Sequence, residues 1–379
     1  MQLEHTVESD NPTQSPRETF VLNVGPQHPS THGVLRLKLV MDGEYILAVE
    51  PVIGYVHRMH EKMGENRTYV QFLPNPSRID YLSAMHYMHA YVGVVERALG
   101  INVPPRAEYI RVITSELNRI ASHLVWLGAF LLDLGAFTPL LYAFDDRERI
   151  LDLLESVSGA RLTYCYYRFG GLCNDVDAAF VEGARAFVKH MWPRLKMYHG
   201  LVTENIILRK RLEGIGVISA ELCRKYGATG PVLRGSGVAC DVRKLEPYSV
   251  YNEFEFDVPH FGDGDCMARY KVRMEEIAQS LRIIEQAIAK LPIGPIMAEK
   301  VPRVVKPPPG DYYFAVEAAR GRFAIRLVSD GSEIPYRLKL RTPSFSNLAL
   351  FGEAARGLLL QDALALLGSL DLVIPDVDR

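Results

Sequence analysis

Residues 124–144 read LVWLGAFLLDLGAFTPLLYAF, and such a run is compatible with few folds. It is long enough to cross a bilayer. Two features oppose that. Asp133 stands in its middle, where a carboxylate costs roughly 2.5–3.5 kcal/mol in hydrocarbon. Thr138-Pro139 is a helix-start signal, a capping residue followed by proline. The run therefore predicts two helices joined by a bend and packed inside a protein, with an aspartate buried between them. Upstream, Ile110, Ile113, Leu117, Ile120, Leu124, Leu127 and Leu131 alternate steps of three and four. That seam predicts a long helix lying lengthwise against others.

The bundle extends in both directions. Ile79, Leu82, Met85, Met88, Val92, Val95 and Leu99 keep a helical period that Gly100 stops. Pro104-Pro105 opens the seam helix, and a third helix is expected over 139–158. Further helical stretches are expected at about 175–212, 214–226 and 265–291, with glycines breaking the pattern over 228–244. On either side of the bundle the period changes to two. Residues 20–56 alternate around Asp42-Gly43, and 306–342 around Asp330-Gly331, both hairpin signals. A helix near 351–368 leads to the last residues. The expected class is α+β, a central helical bundle with N-terminal and C-terminal strand regions. The expected divisions are a flexible tail at 1–19, a strand region at 20–73, the bundle at 74–300 and a strand region with a terminal helix at 301–379.

Composition removes several classes of function. A net charge of −2 gives no electrostatic case for nucleic acid. Cys165, Cys173, Cys223, Cys240 and Cys266 form no C-x-x-C pair, so they read as reduced thiols without a zinc or iron–sulfur site. Residues 1–19 lack the basic start and apolar stretch of a signal peptide. The glycines of 228–244 do not match a phosphate loop, and no dinucleotide fingerprint occurs.

Histidine spacing raises the question of a metal. His28 and His32 lie four apart, His57 and His60 three apart, and His86 and His89 three apart. A ligand pair at four-residue spacing suits a helix, yet Gly25-Pro26 and Pro29 oppose one at His28. Metal binding, a structural role and proton chemistry all stay open for that pair. The other two pairs read as ordinary surface or core positions.

A set of ordered blocks narrows the choice. GPQHPSTHGVLR, HRMHEK, SRIDYLSAM, LLDLGAFTP, SGAR, TGPVLRGSG, FDVPHFGDGDC, LVSDGSEIPYRLKLRTPSF and GSLDLVIPDVDR follow one another from about residue 20 to residue 379. With them the chain resembles the 49 kDa (D) subunit family of respiratory complex I, the NADH:quinone oxidoreductase. That family is related to the large subunits of nickel–iron hydrogenases, so a hydrogenase large-subunit-like fold is implied. Hydrogenases hold their metals through an early R-x-C-x-x-C and a late D-P-C-x-x-C. Here Arg78, Asp80 and Ser83 stand in the early stretch, and the late one reads Asp376-Val377-Asp378-Arg379. All four thiolates are missing, and soft thiolates are what such a centre requires. The resemblance thus implies a quinone headgroup in a cavity that has lost its metal.

The resemblance also implies roles. His32 and Tyr81 would contact the headgroup, with Asp133 beside His32 and His28 in the same loop. Tyr and His can donate protons to a reduced quinone oxygen, and Asp133 would hold His32 charged. Arg58 would lie near a partner's iron–sulfur cluster as a fixed charge. Implied partners are the small iron–sulfur (B) subunit with the terminal 4Fe-4S cluster, the 30 kDa (C) subunit, the iron–sulfur I subunit and the membrane H subunit. Flavin mononucleotide and the clusters would reside in partners, quinone would be the substrate, and turnover would be coupled to proton translocation. The chain would be peripheral, on the cytoplasmic side of the inner membrane. Three positions depart from the family: Met59 replaces a common glycine, and Ala268 and Arg322 replace acidic residues. Two other readings are a metalloenzyme using His28, His32, Asp80 and Asp378 as nonstandard ligands, and a scaffold with a vestigial cavity.

Overall fold

The computed structural model describes residues 5–6, 19–28 and 33–379. The fold is α+β. A four-stranded antiparallel sheet is built from β1 (His5–Thr6), β2 (Thr19–Val24), β3 (Arg36–Asp42) and β4 (Tyr45–Val52), in that order. Strand β3 alternates as the period of two predicts, with Leu37, Leu39 and Met41 turned to the core. Gly43 follows Asp42 at positive φ and closes the β3–β4 hairpin.

Helix α1 (Ala84–Leu99) ends on Gly100 in the left-handed conformation. Helix α2 (Pro105–Asp133) carries the seam, and all seven of its predicted apolar residues are buried. Helix α3 (Thr138–Ser158) follows, so the apolar run is two helices with a bend. No helix among the described residues is long and apolar enough to cross a membrane. The expectation of a buried aspartate is corrected: Asp133 is the last residue of α2 and is exposed. The run straddles a helix end, and its central aspartate falls at that end.

A small hairpin, β5 (Tyr167–Arg168) with β6 (Gly171–Leu172), precedes α4 (Ala178–Tyr198). The stretch expected as one helix at 175–212 is divided by a π-turn at His199–Thr203 before a short helix at Ile206–Leu212. The next one is shorter than expected, Ala220–Tyr226. Helix α5 (Cys266–Ala289) completes a four-helix bundle with α2, α3 and α4. A second antiparallel sheet, β7 (Gly310–Ala318), β8 (Gly321–Ser329) and β9 (Arg337–Arg341), covers α1. At Gly93 of α1 an added Cβ would lie 2.7 Å from the Phe314 ring, so the helix lies flush on the sheet. Helix α6 (Leu360–Leu370) packs on α2 and α5, and the short helix Ile374–Asp378 ends against the loop after β4. There Asp378 accepts from the backbone N–H groups of Gly54 and Val56, at 2.8 and 2.9 Å.

Two departures from the family find their setting here. Arg322 donates to Glu246 and to the Tyr313 hydroxyl, at 2.8 and 2.7 Å, so its charge is paired locally. Met59 has φ 54 and ψ 40, the left-handed region that glycine adopts without strain. Met59→Gly is expected to raise stability by up to about 1 kcal/mol, read from the denaturation midpoint. An unchanged or lowered midpoint contradicts that strain.

His60, His86 and His89 are buried, and both ring nitrogens of His60 and His86 lack hydrogen-bond partners among the described residues. Burial, then the charges of Arg58 and His57, lowers His60 to about 4. Burial likewise holds His86 and His89 well below the usual value, and His123 below it. These groups are neutral in the fold, while the unfolded chain takes up protons below about 6.5. Their contribution is complete above that pH and is lost as pH falls from about 6.5 toward 4. Asp376, pushed up to about 7 by burial and by Asp80, titrates in the opposite sense, as do Asp80, Glu108 and Glu317, which burial raises, against the four histidines. The melting temperature is expected to fall between pH 7 and pH 5. A flat or rising profile contradicts this.

Candidate functional site

Helix α2 carries a second pattern beside its apolar seam. Arg111, Ser115, Arg119 and His123 follow one another at steps of four, with Asn118 and Ser122 alongside, and all are buried. Buried polar groups must be satisfied, so this stripe dictates what packs on it. The Asn118 amide grips the segment after Tyr81: its NH2 donates to the Leu82 carbonyl at 3.0 Å, and its oxygen accepts from Met85 N–H at 3.1 Å. Ser122 accepts from Arg320 at 3.1 Å.

Arg320 is the centre of the site. It lies in the two-residue turn between β7 and β8 and is fully buried. Its guanidinium also donates to Asp80 at 2.9 Å, to Ser83 at 3.2 Å and to Asp371 at 3.1 Å. Asp80 and Ser83 both belong to the Arg78–Ser83 stretch. Asp376, in the late stretch, accepts from Tyr87 O–H at 2.5 Å and from Ser344 N–H at 3.0 Å. Asp378 points elsewhere, to the 54–56 loop. Two glycines let the backbones close around Arg320. At Gly230, φ +70, an added Cβ would stand 2.4 Å from the Arg320 carbonyl oxygen. At Gly321 one would stand 2.6 Å from the Thr229 hydroxyl.

A cavity of ≈ 220 Å³ opens beside this cluster. Leu82, Val125, Trp126 and Val373 supply apolar wall, and Tyr81, Arg320 and Asp371 supply polar groups. The charges there are tuned by burial and by one another. Burial works against the Arg320 charge, but Asp371 and Asp80 more than offset it and hold the guanidinium protonated. Burial pushes the Asp80 carboxyl up, Arg320 pulls it down, and Asp371 adds to the rise. Burial raises the Tyr81 hydroxyl, with Arg320 opposing and Asp80 and Asp371 adding. Arg273 stacks over Trp126 with its guanidinium carbon 4.2 Å from the ring centre, and burial lowers it to about 10.

A second buried network runs on along α2. Glu116 binds Arg119 and Arg243, and Arg243 binds Asp241 at 2.7 Å. Arg234 binds Glu317 at 2.7 Å and also Glu276, which receives His123 at 2.9 Å. Burial opposes ionisation of Glu116 and Glu276, but the neighbouring arginines override it and keep both carboxyls well below the usual range.

Of the residues expected from sequence, Tyr81 lines the cavity. His32 lies outside the described residues, as does the side chain of His28, whose backbone pairs with Gly33. Asp133 is at the exposed end of α2. Arg58 is exposed on the loop before His60 and is not among the cavity residues. Among the described residues no group of three or more His, Cys, Asp or Glu side chains could hold a metal ion. Sequence reading missed Arg320, Asp371, Asn118 and Trp126. The signal for Asn118 was present, as a polar row inside an otherwise apolar helix.

The family described as "Respiratory-chain NADH dehydrogenase, 49 Kd subunit" matches residues 133–379. Among curated relatives, the D 2 subunit of NADH-quinone oxidoreductase from Opitutus terrae is 70% identical over 96% of this chain and 92% of its own length. The D subunit of NADH-quinone oxidoreductase from Desulfotalea psychrophila is 69% identical over 96% of this chain and 98% of its own. The protein of that same name from Geobacillus thermodenitrificans is 51% identical over 95% and 99%. These matches join the ordered sequence blocks and the α+β architecture in one conclusion: the chain belongs to the 49 kDa subunit family of the respiratory-chain NADH dehydrogenase.

Proposed function

We propose that this chain forms one wall of the quinone site of a complex I-type NADH:quinone oxidoreductase. The observation that carries the reading is the cavity in which Tyr81 stands beside the buried Arg320–Asp80–Asp371 cluster. Apolar walls with a few convergent polar groups suit a flat, weakly polar ring. Reducing a quinone takes two electrons and two protons. Negative charge grows on a carbonyl oxygen as electrons arrive, and donors aimed at it stabilise that charge.

Tyr81 O–H is the proposed donor to that oxygen. Burial disfavours its ionised form, so it is protonated before reaction. The Arg320 charge, fixed by its carboxylates, favours the tyrosinate left after transfer. His32 would serve the other proton with Asp133 beside it, and His28 would complete the loop; these roles rest on the family resemblance. Electrons would come from the terminal 4Fe-4S cluster of the small iron–sulfur subunit, with Arg58 near that contact. The 30 kDa, iron–sulfur I and membrane H subunits would complete the surroundings, on the cytoplasmic side of the membrane, with turnover coupled to proton translocation.

Asn118 is a positioning residue, because its amide fixes the backbone directly after Tyr81. Asn118→Leu should raise the quinone KM more than it lowers kcat, and should cost about 2 kcal/mol of stability for the two backbone groups left unpaired. An unchanged KM in an assembled complex contradicts the positioning role. Tyr81→Phe keeps the ring and removes the proton. Membranes carrying it should assemble the complex and still reduce its clusters from NADH, while quinone reduction falls by roughly 10²-fold. Normal assembly with unchanged quinone reduction overturns the proposal.

A further inference from the structure

Cys165 and Cys173 bracket the β5–β6 hairpin, and a single side chain reaches both. Arg168 donates from one terminal nitrogen to the Cys165 sulfur at 3.7 Å and from the other to the Cys173 sulfur at 3.5 Å. The guanidinium is itself anchored, donating to the Cys165 and Tyr167 carbonyls at 2.9 and 3.0 Å. The hairpin is held to the bundle by Arg111, which donates to the Arg168 and Gly171 carbonyls at 3.0 Å each. Cys173 N–H donates to the Tyr166 carbonyl at 3.0 Å, which sets the two cysteines on facing arms of the hairpin. Cys173 is exposed and Cys165 half-buried.

The remaining thiols show what is distinctive. Cys266 also receives an arginine N–H, from Arg269 at 3.3 Å, but it is buried. Cys223 is buried, and burial pushes its thiol up. Burial likewise raises Cys240. Only the hairpin combines an exposed sulfur, a second sulfur nearby and a cation between them. Accessible thiols beside a cation and a resolving thiol are the ones that oxidise selectively.

We propose that Cys165 and Cys173 form a dithiol–disulfide site that is oxidised by hydrogen peroxide and returned to thiols by a dithiol reductant. In the first step the Cys173 sulfur attacks one peroxide oxygen. The O–O bond breaks, hydroxide leaves and takes up a proton as water, and Cys173 becomes a sulfenic acid. In the second, the Cys165 sulfur attacks the Cys173 sulfur. The S–S bond forms, the S–O bond breaks, and a second water leaves with the remaining proton. Two thiols lose two electrons and two protons, and one peroxide becomes two waters. Arg168 supports the negative charge on each attacking sulfur in turn.

The test uses the assembled complex in membranes, treated with hydrogen peroxide, alkylated, and digested with trypsin without reductant. The tryptic peptides 162–168 and 169–185 should be found joined by a disulfide, and dithiothreitol should return both thiols. Cys223 and Cys266 should stay alkylatable only after unfolding. In Cys173→Ser, which alters only an exposed side chain, loss of the Cys165 thiol should slow at least roughly tenfold; Arg168→Gln should slow disulfide formation similarly. The proposal is overturned if no joined peptide forms while Cys173 proceeds to sulfinic acid. It is equally overturned if Cys165 is oxidised as fast in Cys173→Ser as in the parent.

Discussion

One guanidinium holds together parts of the chain that are far apart in sequence. Arg320 sits on the C-terminal sheet, yet its partners come from the Tyr81 segment, from α2 and from the residue following α6. Such a contact is weak evidence of net stability, because removing charges from water offsets their attraction. Its effect lies in uniqueness. A buried arginine with one partner missing would cost about 3–5 kcal/mol, so arrangements that separate these segments are strongly disfavoured. The cavity wall exists because the segments cannot drift apart.

The same logic extends along α2. The helix is buried almost all round, and so its polar stripe has no access to water. Each member must find a partner across an interface: Arg111 with Glu96, Ser115 with Tyr167, Arg119 with the Glu317 carbonyl, His123 with Glu276. The seam residues supply burial energy without direction, whereas the stripe specifies which neighbour lies where. The bundle and the second sheet are thereby locked in register around the site.

This division explains what was legible in the sequence. Period and punctuation are local, and they located the α2 seam, the Gly100 stop, the Asp42-Gly43 turn and the β3 alternation. Charge pairing is not local. Arg320 occupies a tight turn with neither Asn nor Asp beside it, because its conformation is imposed by partners more than two hundred residues upstream. The Asp330-Gly331 signal was real but opens a longer connection, 330–336, between β8 and β9. Asp133 misled because the bend between the two helices was read as buried, although the end of α2 is exposed. Tyr81 was found only through resemblance, since a lone tyrosine after an aspartate carries no signal of its own.

The two connections of the second sheet differ in how freely they can be edited. Hairpin tips are ordinarily where a chain accepts extra residues, since their backbone faces solvent and their length is loosely constrained. The 330–336 connection has that character, with Ile334 and Tyr336 exposed. The Ala319–Arg320 turn does not, because it is buried and its second residue is the anchor of the site. An affinity tag or a lineage-specific insertion belongs in the first. In the second, even one added residue would withdraw the guanidinium from its carboxylates, so the length of that turn is fixed as firmly as the identity of its arginine.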